Sequence, residues 1–228
     1  MILTRNQGAW LAATLALVLC GPGCGRDLEL APTDVVLVVL DAAAASHFSL
    51  YGSALETTPG IDRLAVDSII WERAYAQAPK TLPSMGSVLT GRYPAQSWID
   101  LKLQGISLAE HLSASGYRTL AFIENPWIAP RFGFDRGFDV FRRLPGAEGQ
   151  GAADESGGAD SSTVIRALAA LDASGGSPVF LYVHLLPPHT PYTPPGAFRG
   201  LFADKNDAPQ VDGYVSVALG PGDGSISR

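Results

Sequence analysis

The chain has 228 residues, of which 46% are hydrophobic and 17% charged, and it carries a formal net charge of −6. This composition is typical of a globular protein with a sizeable core and excludes an intrinsically disordered chain. The acidic balance, without a basic stripe, argues against nucleic acid as a partner. An anionic substrate stays compatible with it, because a bound cation would dominate the local field.

The amino terminus has the pattern of a secretory signal. An apolar run from Trp10 to Leu19 follows Arg5, and it is shorter than the about 20 residues that span a bilayer. We therefore predict a signal peptide over residues 1–24 and export to the bacterial periplasm or outer cell envelope. Cys20 and Cys24 lie where a lipoprotein carries its acylated residue, and each matches that pattern only in part. Lipid anchoring through Cys24 or Cys20 and a local disulfide are the two alternatives.

Two apolar runs predict strands of an α/β fold. Residues 34–41 form a near-continuous β-branched run that predicts a buried parallel strand with Asp41 at its carboxyl end. A second run, 178–184, leads into a proline-rich loop that carries His189. Because ligands of open α/β sheets bind outside the carboxyl ends of the strands, we expect Asp41 and His189 to lie in one crevice.

Between these runs, residues 81–92 predict a helix with its start in the same crevice. Thr81 is expected to cap the helix, Pro83 suits the first turn and Gly91 the end. The free backbone N–H groups of a helix start attract negative charge, so a phosphoryl or sulfuryl group can be held there while the Thr81 hydroxyl attacks it. The alternative is an ordinary capped helix.

Two glycine-rich stretches have no hydrophobic period. Residues 149–160 are interpreted as a surface insertion before a helix over residues 161–171. Residues 201–228 are interpreted as an irregular tail that results from a truncation or frameshift.

The order of several motifs resembles the amino-terminal part of the sulfatases, within the alkaline phosphatase superfamily. The resemblance runs from about Pro32 to about Pro195, and we assign residues 32–200 to it. It rests on Val38-Val39-Leu40-Asp41, Tyr51-Gly52, residues 57–65, residues 74–79, Leu108-Ala109-Glu110, residues 116–119, residues 133–139 and residues 184–192. It implies a mostly parallel central sheet flanked by helices, incomplete at its carboxyl end.

Two positions depart from the sulfatase nucleophile motif, which reads Cys or Ser, any residue, Pro, Ser, Arg. Thr81 stands at the nucleophile position, and threonine is not a substrate for the conversion to formylglycine that sulfatases use. Met85 replaces the arginine. An unmodified threonine resembles the nucleophile of nucleotide pyrophosphatase/phosphodiesterases and of phosphoglycerol or phosphoethanolamine transferases, so phosphoryl transfer is an alternative to sulfate hydrolysis.

The resemblance also implies a divalent metal, calcium as in sulfatases or zinc or manganese as in the phosphate-ester enzymes. Asp41 matches a ligand position and Thr81 matches the nucleophile that completes it, whereas Ala42 stands where many sulfatases have a second Asp. The family's later Asp-His or Asp-Asn pair does not occur before Arg228. We therefore expect about half of a metal site.

The remaining predicted site residues would contact the substrate. His189 matches a family histidine at the anionic group or leaving oxygen and is expected to be catalytic. Lys80 is expected to replace part of the missing positive charge, and Asn125 to line the pocket. His184, inside an apolar run, is expected to be a hydrogen-bonded strand residue.

The sequence thus predicts a metal-dependent hydrolase of sulfate or phosphate esters at the cell envelope. Its substrate would be a sulfated or phosphorylated small molecule, glycan or lipid. A threonine-dependent phosphoryl-transfer enzyme and an inactive remnant or binding module are the alternatives. For this polypeptide we expect little turnover.

Overall fold

The computed structural model describes residues 32–99, 102–144 and 159–190, together with 192, 194, 196–198 and 200–202. The predicted signal with Cys20 and Cys24, residues 149–158 of the predicted insertion and nearly all of the predicted tail lie outside the described residues. Within the described ranges, no helix combines the length and apolar character that a membrane span needs.

The described residues form six strands and five α-helices. The strands are β1 (Val35–Leu40), β2 (Trp98–Ile99), β3 (Lys102–Leu103), β4 (Arg118–Ile123), β5 (Val140–Arg143) and β6 (Val179–Leu185). The helices are α1 (Pro59–Ala65), α2 (Thr81–Thr90), α3 (Pro94–Ser97), α4 (Leu108–Ala114) and α5 (Ala159–Asp172). The predicted helix over residues 161–171 lies within α5. Short 3₁₀ helices occur at Ala45–His47, Ser49–Tyr51, Pro130–Phe132 and Gly196–Phe198.

The main sheet has the strand order β1-β6-β4-β5, and all three pairings are parallel. β6 lies between β1 and β4, with His184 opposite Val39 on one side and Ile123 on the other. β2 and β3 form a separate antiparallel pair. The predicted mostly parallel α/β fold is confirmed, and the carboxyl ends of β1, β4 and β6 meet at one edge of the sheet.

The core lies on both faces of β4 and β6. On one face Phe180 and Tyr182 of β6 pack with Met85 and Leu89 of α2. On the other face Leu181 and Val183 pack with Ala167 of α5. Most residues of β4 and β6 are apolar, as expected for a parallel sheet between two helical layers, and Thr119 and His184 are buried polar exceptions.

β1 differs from the prediction of a buried strand. Val36 and Val38 are 52% and 54% exposed, whereas Leu37 and Val39 pack against the core. The reason is that α5 packs over β4 and β6, while β1 pairs with β6 alone among the described strands. The apolar run therefore predicted the strand and its parallel direction correctly and its burial wrongly.

Helix α2 begins one residue earlier than the capping prediction assumed. Lys80, in extended backbone conformation, occupies the N-cap position, and its side chain makes no cap hydrogen bond. Its carbonyl accepts the backbone N–H of Ser84 at 3.1 Å. Thr81 is therefore the first helical residue and not the cap. Gly91 ends the helix with φ of +65°, as predicted.

The start of α4 has little space around it. Ser107 and Glu110 form a capping box, and Arg136 bonds to Glu110 at 3.2 Å. Gly137, with φ of +79°, lies so close that a Cβ atom there would be 2.6 Å from the Cα of Glu110. Only glycine fits this position.

We predict that Gly137→Ala lowers the free energy of unfolding by about 3 kcal/mol, through steric overlap added to an unfavourable positive φ. Gly116→Ala is the matched control, because Gly116 has φ of +85° and a Cβ atom added there would meet no other atom within 4 Å. The control should cost about 1 kcal/mol, from the backbone conformation alone. Urea denaturation of both variants measures the difference, and equal losses would contradict the close packing at α4.

Candidate active site

A cavity of about 860 Å³ opens at the sheet edge where the parallel strands end. Four of the residues predicted from the sequence line it: Asp41, Lys80, Thr81 and His189. Asp41 follows β1, Lys80 and Thr81 form the start of α2, and His189 comes from the loop after β6. The fifth, Asn125, follows β4 and reaches the site through a hydrogen bond to Asp41. The fold therefore brings all five predicted residues to one place.

Asp41 is the anionic centre of the site. Its Oδ2 accepts hydrogen bonds from Nε2 of His184 at 3.2 Å and from the Asn125 amide. Burial disfavours the charged carboxylate, but these two hydrogen bonds and the nearby histidines outweigh burial, so the pKa of Asp41 lies below its usual value. The carboxylate is therefore ionised at neutral pH.

A buried histidine and a buried tyrosine of β6 form a chain of hydrogen bonds to Asp41. His184 is 1% exposed, and Nδ1 lies 2.7 Å from the hydroxyl of Tyr182. A carboxylate can only accept, so Nε2–H of His184 donates to Asp41, and Nδ1 then accepts the Tyr182 proton. Burial, with the negative charge of Asp41, raises the pKa of Tyr182 well above its usual value. The tyrosine therefore remains a donor.

The orientation of Asn125 is fixed by its own neighbour. Its Oδ1 accepts the backbone N–H of Trp127 at 2.7 Å, so the amide nitrogen points toward Asp41. The side chain is 2% exposed, and both ends of the amide have partners.

The start of α2 supplies donors for an anion. The Ser84 N–H donates to the Lys80 carbonyl, and Pro83 has no N–H. The backbone N–H groups of Thr81 and Leu82 therefore remain without a partner inside the helix. Among the described residues, nothing hydrogen-bonds the Thr81 hydroxyl. Because Thr81 does not cap the helix, its hydroxyl is available for chemistry.

Met85, at the position of the sulfatase arginine, is 6% exposed and belongs to the core that includes Leu89 and Ile123. It also forms part of the cavity wall. The wall is therefore apolar where a sulfatase would carry a guanidinium.

His189 is held by a short loop anchored to β4. Its Nδ1 lies 2.6 Å from the Thr190 carbonyl, which requires Nδ1 to carry a proton and leaves Nε2 outside this bond. Its backbone N–H donates to Leu186 O at 2.9 Å, and Leu186 N–H donates to the buried Glu124 carboxylate at 2.9 Å. The two bonds connect the loop to the end of β4.

The sequence did not single out Tyr182, Glu124 or Trp127. The two-residue spacing of Tyr182 and His184 was an available signal, because residues two apart lie on the same face of a strand. Glu124 and Trp127 flank Asn125 directly after a buried strand, which is the place where ligand-binding residues of parallel sheets occur.

The oxygen donors at the cavity are too few for a complete metal site. The carboxylate of Asp41 and the hydroxyl of Thr81 are suitable ligands, but zinc takes about four ligands and calcium about six to eight. In the part of the chain that the structure describes, no group of three or more His, Cys, Asp or Glu side chains could hold a metal. Ala42, at φ of +54°, adds no donor beside Asp41.

Tyr182→Phe tests the buried chain of hydrogen bonds. The raised pKa of Tyr182 means that its stabilising contribution is present below about pH 10, the unfolded value, and is lost as the pH rises toward the folded value. The variant should lose about 1 kcal/mol at neutral pH, because Nδ1 of His184 loses its donor. Its stability should also fall less steeply above pH 10 than that of the wild type.

Tyr93→Phe is the control, since Tyr93 is 69% exposed. Unfolding free energies of the wild type and the two variants, measured from pH 7 to pH 11, test this prediction. Parallel curves for wild type and Tyr182→Phe would contradict the assignment of a buried neutral tyrosine.

Comparisons with known proteins agree with this architecture. One stretch is 31% identical over 83 residues to N-acetylgalactosamine-6-sulfatase of Sus scrofa, covering 36% of this chain and 16% of that protein. The carboxy-terminal periplasmic domain of EcEptC from Escherichia coli, in complex with zinc, has a TM-score of 0.60 at 21% identity, with 78% of this chain and 50% of that one covered. Phosphonate monoester hydrolase of Agrobacterium radiobacter has a TM-score of 0.61 at 18% identity, with coverages of 76% and 44%.

The chain thus spans half or less of the length of these relatives. The structural likenesses, at these identities, establish the fold. The family model described as Sulfatase matches residues 33–218, which is most of the chain. The chain therefore belongs to the sulfatase family.

Proposed function

We propose that this protein binds a sulfate or phosphate ester in the cavity and that the Thr81 hydroxyl attacks its sulfur or phosphorus. The observation that carries the proposal is that Thr81, at the start of α2, lines the same cavity as Asp41, Lys80 and His189. Because the family includes ester-cleaving enzymes, cleavage of an ester is the best-supported activity.

The anionic group of the substrate binds at the start of α2. The backbone N–H groups of Thr81 and Leu82 and the positive end of the helix dipole favour negative charge there. The ammonium group of Lys80 adds a full positive charge at the cavity wall. These donors stabilise the oxygens that gain charge as the nucleophile approaches.

His189 handles the proton in this proposal. Because Nδ1–H donates to the Thr190 carbonyl, Nε2 of the neutral ring can accept the Thr81 proton. A bond then forms from Thr81 Oγ1 to sulfur or phosphorus, and the ester bond to the leaving oxygen breaks. The leaving oxygen lies opposite Thr81 in this in-line displacement and takes its proton from water. Water then attacks the sulfur or phosphorus, the bond to Thr81 Oγ1 breaks, and the protonated His189 returns its proton to Oγ1, which releases the anion and restores the hydroxyl.

A divalent cation is proposed at Asp41 and Thr81. When bound, it would neutralise charge on the substrate oxygens and favour ionisation of the hydroxyl. The low pKa of Asp41 suits a ligand that stays charged. The zinc complex of the EcEptC domain supports zinc, whereas calcium is what the resemblance to sulfatases implies. Further ligands are required beyond those two residues.

Between the two esters, Thr81 favours phosphate. Threonine in place of Cys or Ser leaves only an ordinary hydroxyl, and Met85 supplies no charge beside it. The likeness to phosphonate monoester hydrolase supports the same choice. An inactive binding module is the second candidate, favoured by the small number of metal donors among the described residues.

The cell envelope is the proposed location. The apolar run before Cys20 has the pattern of an export signal, and the EcEptC domain is periplasmic. Acylation of Cys24 or Cys20 would then anchor the protein to a membrane.

Thr81→Ala should abolish turnover of 4-nitrophenyl phosphate and 4-nitrophenyl sulfate, and Thr81→Ser should keep part of it, because only the hydroxyl performs the attack. Ser84→Ala is the matched control, since Ser84 also lines the cavity from the first turn of α2. Release of 4-nitrophenol, measured with Ca²⁺, Zn²⁺ or Mn²⁺, reports the reaction.

Turnover that survives in Thr81→Ala would exclude Thr81 as the nucleophile. Binding of phosphate or sulfate to the wild type without any turnover would favour the binding module.

Ala42→Asp should increase the affinity for Ca²⁺ by about tenfold, because the new carboxylate adds an oxygen ligand next to Asp41. Aspartate also tolerates the left-handed backbone found at this position. Ala43→Asp, one residue further along the same cavity wall, is the control and should have a smaller effect. Calorimetric titration measures both, and unchanged affinity in Ala42→Asp would argue against a cation at Asp41.

A further inference from the structure

Trp127 is an aromatic side chain in the wall of the cavity that the proposed reaction does not use. It follows the end of β4, lines the same cavity as Asp41 and Thr81, and is 51% exposed. A large aromatic surface left open beside polar catalytic groups is typical of a site that binds an organic group by stacking.

The indole ring is held in place by two neighbours. It stacks on Phe132, with ring centroids 6.1 Å apart and an interplanar angle of 27°. The guanidinium of Arg131 lies 4.6 Å from the Phe132 centroid and 5.9 Å from the Trp127 centroid. Phe132 is 8% exposed, so the stack is anchored in the core. The ring is therefore preorganised, which lowers the entropy that binding a ligand would cost.

Hydrogen bonds also connect Trp127 to the reacting end of the cavity. Its backbone N–H donates to Asn125 Oδ1 at 2.7 Å, and the Asn125 amide donates to Asp41. Two successive bonds through one buried side chain thus connect the backbone of Trp127 to the Asp41 carboxylate.

The wall of the cavity carries both polar and apolar side chains. The polar side chains include Lys80, Thr81 and His189, and the apolar residues include Ala76, Ala78, Pro79, Met85 and Trp127. An ester of sulfate or phosphate also combines the two characters, with a charged group joined to an organic group.

We propose that Trp127 is the stacking platform for the organic group of the substrate, and that the substrate is a sulfate or phosphate ester carried by a ring with a flat face, aromatic or sugar. This inference rests on the proposed function, since it assigns the second half of the same ligand. Trp127 is a specificity-determining residue in this account and takes no part in the proton transfers.

Binding of uncleavable anions tests the platform without relying on turnover. The probes are two pairs matched in charge, phenylphosphonate with methylphosphonate and benzenesulfonate with methanesulfonate, titrated calorimetrically. In the wild type the phenyl member of the pair that the cavity accepts should bind about fivefold more tightly, the range expected for an aromatic contact. Trp127→Ala should bind both members equally, and Trp127→Phe should keep part of the preference.

Trp71→Ala is the matched control, because Trp71 is 72% exposed and, among the described residues, is not part of the cavity wall. It should keep the full preference. Trp127→Leu keeps an apolar contact on Phe132 without a ring, so it tests the platform if the alanine variant fails to fold. Glucose 6-sulfate compared with ethyl sulfate distinguishes a sugar ring from an aromatic one; both are esters and are therefore titrated on Thr81→Ala, which lacks the attacking hydroxyl.

The possible results separate this inference from the proposed function. A phenyl preference that survives in Trp127→Leu, or that is lost equally in Trp71→Ala, overturns the platform. Equal binding of phenyl and methyl anions by the wild type, with no preference for the sugar sulfate either, also overturns it and leaves the anion site standing. A wild type that binds none of these anions contradicts the proposed function itself, and the platform with it.

Discussion

The parallel pairing of β6 between β1 and β4 is the constraint on which the site depends. At the strand ends, Asp41 N–H donates to Leu185 O at 3.0 Å and Glu124 N–H donates to His184 O at 2.9 Å. Parallel strands end on the same side of a sheet, so these bonds bring three loops to one edge. The apolar residues of β6, buried on both faces, stabilise that register, since a shift by one residue would move every side chain of the strand to the opposite face. Such a shift would also turn His184 away from Asp41.

A buried chain of hydrogen bonds then sets the electrostatics of that edge. It runs from the Tyr182 hydroxyl through His184 to Asp41, and from Asp41 through Asn125 to the Trp127 backbone. A buried carboxylate is costly unless its charge is compensated. Here the compensation comes from the hydrogen bonds of His184 on β6 and of the Asn125 amide. The arrangement keeps Asp41 charged while leaving Lys80 and the start of α2 available for an anion.

Much of this architecture could be predicted from the sequence, and the limits have physical causes. The β-branched runs and the proline-rich loop were sufficient to predict the parallel strands and to predict that Asp41 and His189 line one cavity. The burial of β1 was not predictable, because exposure of Val36 and Val38 depends on where α5 packs. The prediction that Thr81 caps the helix was wrong, since local sequence does not decide which of two adjacent residues occupies the N-cap position. Tyr182 and Trp127 were missed although each contacts a residue only two positions away, whereas the bond of Glu124 to Leu186 N–H joins segments distant in sequence and was not predictable.

A crystal structure of the protein grown with orthovanadate tests the central claim most directly. The account predicts vanadium in the cavity within bonding distance of Thr81 Oγ1, with vanadate oxygens at the Thr81 and Leu82 backbone N–H groups and Nε2 of His189 facing them. Vanadate bound away from the start of α2, with the Thr81 hydroxyl uninvolved, would contradict the account.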